Sequence, residues 1–164
     1  MSEKLITEIL LDIRNAIINS QAIQDFCFQK YTKEIKVFLG ADERDLPEIN
    51  NCPYVLLDRG KATLKNSNTL REVEYDFYIF ICICQTDIQN DGNGIIYSGI
   101  IEIDQLAQLI RQEISKNVVA PVEFVEEEVP SVSENAPLRQ YPVYFLFERG
   151  TIKLRERRDG SWKL

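Results

Sequence analysis

Histidine is missing from all 164 residues. Its absence excludes Ser-His-Asp and Cys-His nucleophile systems, His-ligated metals and the commonest general base near neutral pH. Any chemistry would have to rest on carboxylates, lysine, tyrosine or cysteine. Positive charge is scarce: 19 Lys and Arg face 26 Asp and Glu, for a formal charge of -7. Nonspecific nucleic-acid binding relies on clustered Lys and Arg, so an acidic chain is a poor candidate for it, and no sequence-specific nucleic-acid partner is expected either. Long hydrophobic runs are missing too; none approaches the roughly 20 residues a membrane-crossing helix needs, and no membrane partner is expected. The opening MSEKLITEILLDIRN is acidic where a secretory leader would be basic, which predicts a protein made and kept in a reducing cytosol. Phosphate loops of the GxxxxGK[ST] and GxGxxG kinds are absent.

Cysteine is sparse, at Cys27, Cys52, Cys82 and Cys84. Zinc sites use paired Cys-x2-4-Cys knuckles, whereas the single tight pair here, Cys82 and Cys84, is one residue apart. The thiols read as small core residues, with no metal and no cofactor expected. Asp87 to Ser98 has Asp and Gly at some calcium-loop positions but Ser98 where a bidentate Glu is required, so it reads as a turn. Glu34-Ile35-Lys36 has the Glu-x-Lys spacing of a nuclease strand, with Asp58 or Asp76 as the acidic companions such a site would need.

What is present is pattern. Arg71 to Gln85 reads REVEYDFYIFICICQ. Val73, Tyr75, Phe77, Ile79, Ile81 and Ile83 alternate with Glu72, Glu74, Asp76, Tyr78, Phe80, Cys82 and Cys84. That is the period of a β-strand, here spanning roughly 50 Å at about 3.3 Å per residue. The second face changes from acidic to aromatic and thiol halfway, so one end is solvated and the other is covered by something.

Two amphipathic helices are predicted. The first runs from about Glu3 to Asn19, with stripe Leu5, Ile6, Ile9, Leu10, Ile13, Ile17 and Ile18 and Ser2 as N-cap. The second runs from about Ser98 to Lys116, with stripe Ile103, Leu106, Ala107, Ile110 and Ile114. Between them lie a strand at Ile35–Leu39, a polar loop at Ala41–Cys52, and two strand-like runs, Pro53–Leu57 and Lys61–Lys65, that read as a bent strand or a hairpin around Asp58-Arg59-Gly60. Gln85 to Gly94 reads as a flexible turn. Pro121–Val129 is an acidic edge strand, and 130–137 a Ser/Pro/Asn loop. Tyr141–Arg149 and Thr151–Arg158 read as a closing strand pair around Glu148-Arg149-Gly150. The echo of Asp58-Arg59-Gly60 in Glu148-Arg149-Gly150 marks either two equivalent hairpins or two bent, half-exposed strands. One α+β domain is expected, with a largely antiparallel β-sheet and the two helices packed on one face.

This order of elements resembles bacteriophage tail terminator and tail completion proteins: the helix KLITEILLDIRNAI, then IKVFLG, a polar loop, PYVLLDRG, the long strand, the helix IDQLAQLIRQEI and the closing YPVYFLFERGTI. The resemblance implies a virion structural protein without catalytic residues or cofactor. It implies a hexameric ring of this chain on the tail tube, ending tube polymerisation and meeting the neck or connector protein. A closed ring needs two unlike patches on each subunit. Charge placement nominates the acidic stripe Glu72, Glu74 and Asp76 against the basic stripe Lys153, Arg155 and Arg157, with the loop residues Asp42, Glu43, Arg44 and Asp45 touching a partner. A head–tail connector subunit and a small cytosolic carboxylate-based metal enzyme or ligand-binding domain are the other readings.

Overall fold

The alternating stretch forms one strand, Arg71–Cys84, and the rest of the fold is arranged around it. The computed structural model describes residues 2–40, 47–66, 71–118, 120, 122–125, 139–156 and 162–163. In chain order these form α1 (Ser2–Ile18), α2 (Gln21–Tyr31), β1 (Lys36–Leu39), a short 3-10 turn (Ile49–Asn51), β2 (Tyr54–Asn66), β3 (Arg71–Cys84), β4 (Ile88–Asp91), β5 (Gly94–Tyr97), α3 (Ser98–Asn117), β6 (Val122–Val125), β7 (Arg139–Gln140), β8 (Val143–Glu156) and β9 (Trp162–Lys163).

The main sheet has the order β1-β2-β3-β8-β6, with β7 and β9 also on β8. Only β1–β2 is parallel; β2, β3, β8 and β6 run antiparallel in turn. Strands β4 and β5 form a separate two-stranded hairpin. The molecule is α+β with helices against one sheet face.

Both predicted helices form, and their stripes are the core. Ile6, Ile9, Leu10, Ile13 and Ile17 of α1 meet Ile103, Leu106, Ala107, Ile110 and Ile114 of α3 and the inward residues Val55, Leu57, Val73, Tyr75, Phe77, Ile79, Ile81 and Ile83 of the sheet. At about 1.5–3 kcal/mol for each fully buried large side chain, this layer is the main source of stability. A helix the sequence pattern does not announce, α2, covers the flank: Ser20 caps it by accepting a hydrogen bond from the Ile23 amide at 3.3 Å. Ile23 and Cys27 point into the core while Phe28 stays exposed, which is why no clean stripe is visible there.

Of the two readings of Asp58-Arg59-Gly60, the bent strand is the one that forms: β2 runs through it, with the register against β3 shifting between Arg59 and Ala62. The expected closing pair of strands is corrected. Glu148-Arg149-Gly150 lies inside the continuous β8. The reason is visible on β3. Arg59 and Gly150 are both register partners of Phe77, and Asp58 and Arg149 both partner Tyr78. The two Arg-Gly runs therefore flank the same rungs from opposite sides. Gly150 is needed there because a Cβ would lie 2.1 Å from the Phe77 ring. The predicted flexible turn before α3 is the β4–β5 hairpin, with Gly92 at φ 56° in its two-residue loop. Of the expected acidic strand at 121–129, 122–125 form β6; residues 126–130 lie outside the described residues.

Candidate functional site

The sheet face away from the helices carries a second, smaller apolar cluster. Cys52, Tyr54, Cys82 and Val143 form it, with Phe38, Phe80, Cys84 and Phe145 packed against them, and no helix contributes a residue. The register explains the grouping: Cys82 lies between Tyr54 on β2 and Phe145 on β8, and Phe80 between Leu56 and Phe147. Rings pair across the strands, Phe80 with Phe145 at 5.3 Å and Tyr78 with Phe147 at 5.2 Å between centroids. Such pairs stabilise a sheet by cross-strand contact. Phe147 nevertheless remains 46% exposed, and Val125 of β6, the register partner of Arg149, is exposed as well.

Further along the same face the residues are charged and mutually satisfied. Lys65 of β2 reaches Glu74 of β3 at 2.6 Å, and Arg149 of β8 reaches Asp76 of β3 at 3.1 Å. Lys153 of β8 binds Glu123 of β6 and is the register partner of Glu74. The Lys65 hydrogen bond holds the Glu74 carboxyl below its ordinary range. Glu72 is the register partner of Arg155. Of the stripes singled out in the sequence, Glu74, Asp76 and Lys153 thus have ion-pair partners within the chain, while the Arg155 side chain lies outside the described residues. Arg157 and the loop residues Asp42, Glu43, Arg44 and Asp45 lie outside the described residues.

A second exposed apolar surface sits on the β4–β5 hairpin. Every residue of both strands is exposed, among them Ile88, Ile95, Ile96 and Tyr97. Ile100 and Ile101 in the first turn of α3 extend it. A lone two-stranded hairpin is marginally stable in water, so its base is fixed from outside. Gln85, at the end of β3, does most of this. Its Oε1 accepts hydrogen bonds from the Thr86 and Asp87 amides, and its Nε2 donates to Glu102 of α3 at 2.9 Å. Lys30 of α2 offsets the buried Glu102 charge at 3.4 Å. Tyr141 closes the other side, donating to the Thr86 carbonyl and packing edge-on against Tyr97 at 5.5 Å.

Sequence reasoning missed this anchor and the hairpin patch; it singled out the aromatic half of the outer face of β3 but expected it to be covered, whereas Phe147 beside Tyr78 stays exposed. The Asp91-Gly92 signal for a hairpin was present, but nothing in the pattern says that Ile95 and Ile96 stay exposed. The Glu34-Ile35-Lys36 spacing gathers no acidic site: Glu34 is exposed and the Lys36 amine donates to Asn51 Oδ1 at 2.8 Å. Among the described residues no three His, Cys, Asp or Glu side chains come together in a way that holds a metal ion. Likewise, no helix among the described residues is long and apolar enough to cross a membrane. A polar cleft between the C-terminal parts of α1 and α3, lined by Asn15, Asn19, Gln21, Glu113 and Asn117, has no convergent charge beyond Asp12 and Glu113. Neither protein-family models nor curated proteins yield a match to this chain.

Proposed function

We propose that this chain is a structural subunit that assembles with copies of itself into a closed ring of the kind that caps a phage tail tube. In that role it ends tube polymerisation, presents a surface to the neck or connector protein, and resides in the virion tail. The observation that carries the reading is the pair of unlike exposed apolar surfaces on one chain, the hairpin around Ile95 and the sheet face around Phe147. Contiguous exposed apolar surface marks interaction sites, and a ring is built from heterologous contacts in which two different patches meet. In this reading Ile88 and Ile95, which share one face of the hairpin, seat on Tyr78, Phe145 and Phe147 of the next copy. Because Glu74, Asp76 and Lys153 already have partners within the chain, the proposed contact is placed on apolar surface and not on those charges.

Magnitudes favour a closed assembly over a simple dimer. Burying a few isoleucines contributes about 1.5–3 kcal/mol each, against an association cost of about 4–15 kcal/mol. A single contact is then weak, whereas closure gives every copy two. The test is native mass across a concentration series together with negative-stain imaging of the same sample. Closed rings, six-membered in the arrangement the resemblance implies, support the proposal. A monomer at every concentration, both alone and with purified tail tubes, removes it. The carboxylate-enzyme reading has less support, since Glu74 and Asp76 each lie against a cation.

A further inference from the structure

Two thiols on the uncovered face are placed to react with each other. Cys52 Sγ and Cys82 Sγ lie 3.2 Å apart, sharing a hydrogen bond. Cys52 sits two residues before Tyr54, the register partner of Cys82, so the pair bridges the segment entering β2 to the middle strand of the sheet. Both are nearly closed to solvent, Cys52 at 4% and Cys82 at 1% exposure. We infer that Cys52 and Cys82 form an oxidisable pair that closes to a disulfide when a small peroxide reaches it.

The surroundings supply an order of events. The thiolate is the reactive form of a cysteine. Donation from the Cys82 thiol, helped by the charge of Lys33, holds the Cys52 thiol below its ordinary pKa in spite of burial. The same pairing, together with burial, pushes Cys82 up. Cys52 therefore attacks first: its thiolate sulfur bonds to one peroxide oxygen, the O–O bond breaks, and hydroxide leaves to become water. The resulting Cys52 sulfenic acid is then attacked by the Cys82 sulfur, which gives up its proton as the S–S bond forms and a second water departs. Two thiols are oxidised and one peroxide is reduced to two waters. Near-complete burial selects the smallest oxidants. Cys27 is a natural contrast, since it lies in the helix-side core and burial pushes its thiol up to about 12. The pair stays reduced in a glutathione-buffered cytosol and closes in an oxidising environment; if the ring reading holds, a released particle would meet that change, but the bond itself does not depend on it.

The test uses the full chain, reduced, freed of reductant and treated with stoichiometric hydrogen peroxide. Free thiols are then trapped under denaturing conditions and the chain is mapped by peptide mass. The expected result is a fall from the four free cysteines to two, with one linked peptide joining Cys52 to Cys82. Cys84→Ser should keep that link and Cys52→Ser should abolish it. Four remaining thiols, a link through Cys84 or Cys27, or sulfinic acid at Cys52 without a link would each overturn the inference. The wild-type map alone decides if Cys52→Ser does not fold.

Discussion

The two faces of β3 are drawn from alternate residues of one segment, yet they have different fates. Toward the helices, Val73, Tyr75, Phe77, Ile79, Ile81 and Ile83 are all buried under α1 and α3. Toward the other side, Tyr78, Phe80 and Cys84 are only half-buried, and their cover comes from neighbours in the same sheet. The first face is finished within the chain. The second is finished only at its charged end, where Glu74 and Asp76 each have a cross-strand base, and stays exposed at its aromatic end. An apolar surface that the chain does not cover itself is where a partner is to be sought.

The sharpest way to break this contrast is to remove one ring from each face. Phe77→Ala should cost about 3–5 kcal/mol in urea unfolding, the usual range for emptying a packed aromatic site. Phe147→Ala should cost less than about 1 kcal/mol, as for an exposed position. Equal losses would mean that the open face is as much a part of the core as the covered one.

Next in size is a methyl added where β8 meets β3. Gly150→Ala places a Cβ against Phe77, 2.1 Å from its ring, and should lower stability by about 1–3 kcal/mol through overpacking. Gly94→Ala at the hairpin, where the nearest atom is 3.8 Å away, should stay within about 0.5 kcal/mol. A Gly150→Ala variant as stable as wild type would show that the two strands are not held this tightly.

The smallest effects separate the faces by pH. Glu148, on the helix side against Arg111 at 2.7 Å, is raised by burial; Glu74, on the open side, is lowered by Lys65. A raised carboxyl favours the fold below the ordinary carboxylate range and loses that contribution as pH rises through its folded value. A lowered one contributes above that range and loses it as pH falls through its folded value. Relative to wild type, Glu148→Gln should therefore gain in Tm as pH rises from about 4 to 7, while Glu74→Gln should lose slightly as pH rises from about 2 to 5, limited by solvent screening. Tm measured against pH checks both signs, and slopes of the same sign would contradict the assignment.

Much of this contrast was legible beforehand, and the parts that were not share a cause. The stripes of α1 and α3 and the period of β3 are local and repeated over many residues, and they survive into the structure, with Ile6, Ile9, Leu10, Ile13 and Ile17 of α1 in the core. The echo of Arg59-Gly60 in Arg149-Gly150 was visible, but its meaning depends on both runs sitting beside Phe77, a fact of register between strands far apart in sequence. Helix α2 escaped because only Ile23 and Cys27 of its faces are fully buried. The pairing of Lys65 with Glu74 and of Arg149 with Asp76 turned apparent patches into neighbours. Likewise, that Ile95 and Phe147 stay exposed depends on which elements reach them, which no single stretch of sequence announces.

The account stands on the open surfaces being contacts between copies, so the most direct measurement compares native mass for the wild-type chain, Ile95→Asp and Phe147→Glu at matched concentrations, with Tm recorded alongside. The account predicts a closed multimer for wild type and monomers of nearly unchanged Tm for both variants, because each removes one half of the same contact. Multimers of the same size in all three would contradict it.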